Sequence, residues 1–422
     1  MKVLHISHNL RGGAGKNLRR HHESLLDCGI DSRILIGEKW EESSRIRSLI
    51  THGWRSPFGE NLSEKMGNRL LPMIGDNPFL NRRFLELEKH PWVEWADIVE
   101  IRQVHSGGKR PYLPLGIIGK IARRKPLVWR LSDMWAFTGY CSYSYECERW
   151  QSGCGSCPQL SEGGRFRAEL KIPEKDSSRY QWNRKRKAYS SFPLTVVSPS
   201  RWMDSMVGRS FLGEQKRRII PIGVEEGVYR QNREACRKRL GLEDDSIALL
   251  AILPNPNNHR KGYDLAIKVV KLLEQASDKL RLVVVSSKPI DCSFTTLPVI
   301  EAGFRSSDES LAEVYAACDI LLFTSRADNS SQALVEAGMS GLAVAAFDVA
   351  GNPEYLSKGC KERMAPAENV EAMSALIREM VSNPESLRKL QEESRHEIRE
   401  RFGQKRQTSA FVSLYSELSL PG

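Results

Sequence analysis

The stretch from Ile320 to Phe347 constrains this chain more than any other. Two runs with no polar residue, Ile320–Phe323 and Leu342–Phe347, flank a helical pattern over Gln332–Met339. Runs that are apolar at every position read as strands covered on both faces, as in a parallel sheet. Ser330 or Ser331 would cap the helix and Gly341 would end it. A helix fed by a strand presents unpaired N–H groups and a positive dipole end, which together attract an anion. Asp328 and Glu336 flank that helix start. Carboxylates repel phosphate, so these two suit sugar or ribose hydroxyls, and the combination suggests a nucleotide sugar. Read locally, an acid near a helix start equally complements the dipole.

The surrounding pattern predicts a domain of this kind. Ile247–Leu253 reads as a buried strand, "PNPNNHRKG" as a loop, and a helix follows to about Gln275 with Ala266, Val269, Val270 and Leu273 on one face. Arg260 and Lys261 therefore stand at a strand-to-helix junction, where a guanidinium fork and an ammonium can neutralise a diphosphate. The bland alternative is an exposed basic turn. Leu280–Ser286 is a further strand, and Ser306 with Glu309 forms a capping box. Leu311, Val314, Tyr315 and Cys318 then fall on one helix face as core. Val370–Ser382, Pro384–Arg401 and Thr408–Leu418 are predicted helices.

The first half opens with a strand (Val3–Ser7), a Gly-rich loop "RGGAGKN", a helix to Asp27 and a strand (Ser32–Ile36). Gly12 and Gly13 would let backbone approach a ligand, or simply make a tight turn. The loop is not a nucleoside-triphosphate P-loop, because Leu10 stands where that motif needs Gly and Asn17 follows Lys16. Glu41–Pro91 reads as an insertion of short helices. Asp97–Ile101 and Leu127–Leu131 are strands, separated by a helix over Leu115–Arg124. Ser132 and Asp133 then lie at a strand's C-terminal end, the ligand side of such sheets. A helix (Asp176–Tyr189) and a last strand (Leu194–Ser198) follow, and Leu212–Ile222 carries the chain into the second domain.

Cys141, Cys147, Cys154 and Cys157 are spaced C-x5-C-x6-C-x2-C. Four thiolates match tetrahedral zinc in number and softness, and the expectation is a structural zinc site. Buried thiols or disulfides are the alternatives. The chain's 422 residues suffice for two domains, and no apolar run reaches 18 residues. Met1–Asn9 is too polar for a signal peptide, so the expected compartment is the cytoplasm. The net charge of +11 suits an anionic substrate or an anionic membrane face. No nucleic-acid-binding motif accompanies it, and no nucleic-acid partner is expected.

Acid-x7-Glu before "AG-x-x-G", with a later "G-x-P-E", resembles the E-x7-E region of retaining glycosyltransferases of family 4. "DMWAFTGYC", "GCGSCPQL" and "SPSRWM" resemble the branch of that family that builds surface polysaccharides. The resemblance implies an α/β GT-B fold: two Rossmann-like domains with parallel sheets facing a central cleft. It sets an acceptor domain at 1–212, a donor domain at 213–404 and a C-terminal helix, 405–422, packing back on the first. It implies Asp133, Lys261 and Asp328 as catalytic residues. Gly12, Gly13, Arg260, Lys261, Asp328, Asn329, Ser330, Ser331 and Glu336 would bind the donor, with Phe304 by the base. Ser132 and His105 would face the acceptor.

No catalytic cofactor is implied. The partners would be a nucleotide-diphosphate sugar and a glycan or lipid-linked acceptor, with an anionic face on the inner membrane as a docking surface. Three departures stand out. Asp328 replaces the usual Glu, Ser132 replaces a His before Asp133, and Glu100-Ile101-Arg102 replaces a His-x-His. They leave room for the alternative of a shell with this fold that binds without turnover.

Overall fold

The computed structural model describes residues 1–38, 42–49, 87–105, 113, 115–160, 176–189, 191–253, 258–287 and 290–419. Contacts divide the chain into two units: Met1–Pro221 with Gln407–Gly422, and Ile222–Arg406. Each carries one parallel sheet. In the first unit the strands are β1 (Lys2–Ser7), β2 (Asp31–Ile36), β3 (Ile46–Ser48), β4 (Ile98–Ile101), β5 (Leu127–Arg130), β6 (Thr195–Ser198) and β7 (Lys216–Ile219), in spatial order β3-β2-β1-β4-β5-β6-β7. In the second they are β8 (Ile247–Ile252), β9 (Leu280–Val285), β10 (Val299–Glu301), β11 (Ile320–Phe323) and β12 (Ala343–Ala346), in order β10-β9-β8-β11-β12.

β4, β5, β6, β11 and β12 are buried at every residue, as a sheet covered on both sides requires. Sequence reading missed β3, β7 and β10, and all three are edge strands. Their half-exposed sequences, such as Lys-Arg-Arg-Ile in β7, lack the apolar run that betrays a central strand. The expected domain boundary at 212/213 is therefore too early, since β7 pairs with β6 and belongs to the first sheet.

Other expectations shift as well. The helix after β1 spans Gly12–Asp27, so the Gly-rich segment forms its first turns rather than a loop. Of the expected insertion of short helices, residues 50–86 lie outside the described residues; Ile46–Ser48 is a strand and Leu87–Lys89 a single 3-10 turn. The last helix spans Gln404–Ser419 and inserts Phe411, Leu414 and Tyr415 among Val3, Leu25, Ile98 and Val128 of the first unit. Among the described residues no helix is long and apolar enough to cross a membrane.

A charged knot lies inside the first unit. Glu100 accepts from Arg102 Nε at 2.6 Å and from the Tyr415 hydroxyl at 2.5 Å, and lies 3.2 Å from His5 Nδ1. His21 Nε2 is 3.2 Å from the same hydroxyl, and Arg102 reaches Asn17 Oδ1 at 3.1 Å. Burial pushes the Glu100 carboxyl up, but Arg102 and His5 hold it well below the usual range. Glu100 and Arg102, at the positions where a His-x-His was sought, thus form an internal ion pair.

Burial also lowers the imidazoles of His5, His21 and His22, the last to about 3. In the unfolded chain each titrates near 6.5, so between that value and its folded value the unfolded state binds the extra proton. Stability from these residues is complete above about pH 6.5 and falls as pH drops, by about 1.4 kcal/mol per pH unit for each. The urea midpoint is therefore expected to be much lower at pH 5 than at pH 7. Equal midpoints would contradict neutral burial of these rings.

Candidate functional site

The second unit builds its site where β8 and β11 lie side by side. After β8 the chain makes a turn, His259–Lys261, and Gly262 then starts the helix Tyr263–Leu272 in a left-handed conformation, φ 68°. A Cβ on Gly262 would stand 1.9 Å from the Thr324 carbonyl oxygen, so no other residue fits. The segment after β11 is stitched to this turn. Thr324 Oγ1 donates to Gly262 O at 2.8 Å, Ser325 Oγ to Arg260 O at 3.1 Å, and Arg326 N to Arg260 O at 2.8 Å. Arg326 forks onto Asp264 at 2.7 and 2.6 Å, which fixes the turn from its other side.

This stitching aims the two cations at one carboxylate. Lys261 Nζ lies 2.7 Å and Arg260 a longer 3.3 Å from Asp328 Oδ2, and Arg260 also donates to Ala327 O at 2.9 Å. Burial pushes the Asp328 carboxyl up, and Lys261 and Arg260 outweigh it and hold the group below its ordinary value. Lys261 is lowered by burial, against the pull of Asp328. Two cations and one anion leave a net positive charge. Asp328 was expected beside sugar hydroxyls; in the structure its carboxylate organises the cations.

Asn329, Ser330 and Ser331 lead from Asp328 into the helix Gln332–Ser340. Asn329 and Ser331 are buried and Ser330 half-buried. Gly351 N donates to Asp328 O at 2.9 Å, and a Cβ there would stand 2.1 Å from Asn329 O, so the Gly-Asn-Pro turn clamps this approach. Ser331 is the N-cap residue, yet its side chain makes no capping bond, and the first turn carries no acid. The cation pair is held on Asp328, four residues before the first residue of this helix, so it lies close in the chain to the positive helix end. Glu336 lies beyond the first turn, buried, and accepts from the Tyr315 hydroxyl at 3.3 Å. Complementing the dipole does not explain an acid at that depth.

Phe304 lies past the edge strand β10, separated from β11 by β9 and β8, and is 69% exposed. The capping box expected at Ser306 and Glu309 is replaced by a simple cap: Ser307 is the N-cap of Asp308–Ala317 and accepts from Ser310 N.

In the first unit the candidate residues gather at the C-terminal ends of the strands. Gly12 and Gly13 open the helix after β1. His105 follows β4 and places Nε2 3.1 Å from Asp133 Oδ2, with its ring stacked on Trp135 at 4.7 Å. Asp133 also caps the turn Met134–Phe137 by accepting from Trp135 N at 2.9 Å, so it serves both as cap and as histidine partner. Ser132, next to it, is half-buried. Sequence reading missed His8 and Glu38, which meet at 2.9 Å just past β1 and β2. Their position at strand ends was the available signal. The four cysteines of the loop 141–157 are half-buried and free of disulfides.

Two parallel-sheet units, with a cation pair against a helix start in the second, define a GT-B fold. Residues 249–397, which carry that pair and helix, match the family Glycosyl transferases group 1. The chain is 27% identical over 244 residues to an Escherichia coli (strain K12) protein whose name assigns it to colanic acid biosynthesis as the glycosyl transferase WcaC. That match spans 57% of this chain and 56% of the relative, little more than half of each. Among solved structures, sucrose-phosphate synthase from Thermosynechococcus elongatus superimposes with TM-score 0.68 at 15% identity, over 99% of this chain and 98% of that one. Anabaena HepE in complex with UDP-glucose superimposes with TM-score 0.63 at 14% identity, over 99% of this chain and all of the other.

Proposed function

We propose that this chain is a glycosyltransferase that moves a sugar from a nucleoside-diphosphate donor to a glycan or lipid-linked acceptor in surface polysaccharide synthesis, with retention at the anomeric carbon. The observation that carries the reading is the convergence of Lys261 and Arg260 on Asp328, in the segment that leads into the helix Gln332–Ser340. A leaving diphosphate gains charge as the glycosidic bond breaks, and preorganised cations and N–H groups stabilise that charge without reorganising. Asp328 holds the cations in place, Asn329, Ser330 and Ser331 shape the approach, and Glu336 accepts from the ribose hydroxyls. These groups meet the diphosphate charge themselves, so the reading assigns no catalytic cofactor. The pair His105–Asp133, with Ser132 beside it, positions the acceptor hydroxyl. Gly12 and Gly13 leave room for backbone near the same substrate.

Support also comes from the relatives: one is named for polysaccharide synthesis and another is complexed with UDP-glucose. A lipid-linked acceptor would bring the chain, with its net charge of +11, to an anionic membrane face.

The test is donor turnover with UDP-, GDP-, ADP- and dTDP-sugars over a mixed lipid-linked acceptor extract. One nucleotide is expected to be released, the product is expected to keep the donor's anomeric configuration, and Glu336→Ala is expected to cut the rate about 100-fold. Binding of a donor with no release would favour the non-catalytic shell; an inverted product would reject retention.

A further inference from the structure

We propose that Cys141, Cys147, Cys154 and Cys157 hold a structural zinc ion that pins the loop between β5 and the helix Ser178–Tyr189. The other three thiols all bear electrostatically on Cys141, and the main chain brings Cys154 to the segment that carries it. The main chain around them is shaped to serve sulfur. Gly139 N, from the segment that carries Cys141, donates to Cys154 Sγ at 3.3 Å. N–H groups turned towards a sulfur favour its thiolate, the form that binds metal. Leu160 N donates to the Cys157 carbonyl, three residues back, at 3.0 Å and closes the turn that follows it.

The C-x2-C turn itself runs through positive φ at Gly153, Cys154, Gly155 and Ser156, at 133°, 55°, 96° and 45°. Two of these are not glycine, and such a run persists only where its surroundings over-determine it. It is tied down at several points: Cys157 N donates to Asp176 Oδ2 at 2.8 Å, Gly155 N to Ser178 Oγ at 3.0 Å, and Arg149 to Gly155 O at 3.2 Å.

Charge supplies a separate argument. Lys185 is fully buried and donates to three main-chain carbonyls, Trp135 O, Thr138 O and Gly139 O, at 2.6, 2.9 and 3.2 Å. Cys141 and Cys154 are among the groups that act on it. Zinc with four thiolates carries net negative charge, and an ammonium set beside two of the sulfurs balances part of it.

Among the described residues, the group whose ligand atoms already lie within 4.8 Å of one another is a different one, His5, His21 and Glu100. Arg102 and Arg130 act on that enclosed cluster, so a cation there would be repelled. No three of the four cysteine sulfurs lie within that spacing of one another, and the metal would draw them inward. The consequence reaches the candidate acceptor site. Lys185 lies 3.3 Å from the centre of the Trp135 ring, and Trp135 stacks on His105, so the staple would steady the His105–Asp133 pair.

The test uses the full chain purified under reducing conditions from zinc-supplied cells. Elemental analysis is expected to find about one zinc per chain, released in step with titration of four thiols by a mercurial reagent. Cobalt exchange is expected to give the absorption of a tetrahedral thiolate site. Cys157→Ser is expected to lose the metal and Cys28→Ser to keep it. If Cys157→Ser does not fold, the metal content of the unaltered chain decides. Zinc below about a tenth per chain, four thiols reacting as fast as exposed Cys28, or a disulfide between Cys154 and Cys157 would each overturn the proposal.

Discussion

Lys261→Ala is expected to lower kcat/KM for the sugar donor about 100- to 1,000-fold, the usual effect of removing one preorganised group from a developing anion. The chain should stay folded. Asp328 keeps Arg260 at 3.3 Å and Gly351 N still holds the Asp328 carbonyl, so the carboxylate is not left without a cation. Arg260→Ala is expected to cost less, because Arg260 makes the longer contact with Asp328 and also bonds Ala327 O. The check is steady-state kinetics with circular dichroism on the same preparations. A rate within about threefold of the unaltered chain, with structure retained, would remove Lys261 from the donor site.

The second large effect concerns stability rather than chemistry. Glu100→Gln keeps the shape of the side chain and removes its charge, leaving Arg102 without its buried anion. Breaking one partner out of a buried pair costs about 3–5 kcal/mol. For a unit of this size that corresponds to a fall in Tm of roughly 6–20 °C. Adding Arg102→Met should recover part of the loss, since the two effects couple through one contact. A single variant that melts with the unaltered chain would show that the knot is not what holds β4 and the last helix together.

How far the sequence reveals this molecule depends on burial. Ile320–Phe323 and Val370–Ser382 match their predicted bounds, and Gln332–Ser340 is one residue longer than predicted. These elements are closed by unambiguous signals: an apolar run, a cap, or Gly341 in the left-handed conformation. The strands β3, β7 and β10 lacked such signals. Glu100 and Arg102 were misleading for a different reason. Every residue of β4 is buried, so spacing could not say whether a charged side chain there meets a ligand or another side chain.

The site was legible in its parts but not in its assembly. Lys261 and Asp328 each stood at a strand end, 67 positions apart. That they meet follows from β8 lying beside β11 in the sheet, an adjacency that chain order does not contain. His8 and Glu38 escaped notice because a histidine and a glutamate in unrelated segments carry no spacing rule. Strand order brings them together.

The central claim is that the second unit grips a diphosphate between the turn His259–Lys261 and the start of the helix Gln332–Ser340. Calorimetric titration of the whole chain with a nucleoside and with its diphosphate, at fixed salt, tests it most directly. Tighter binding of the diphosphate by about 100-fold or more is expected, corresponding to about 2.7 kcal/mol, with most of that difference lost in Lys261→Ala. Equal affinities for the two ligands, or a difference that survives Lys261→Ala intact, would contradict it.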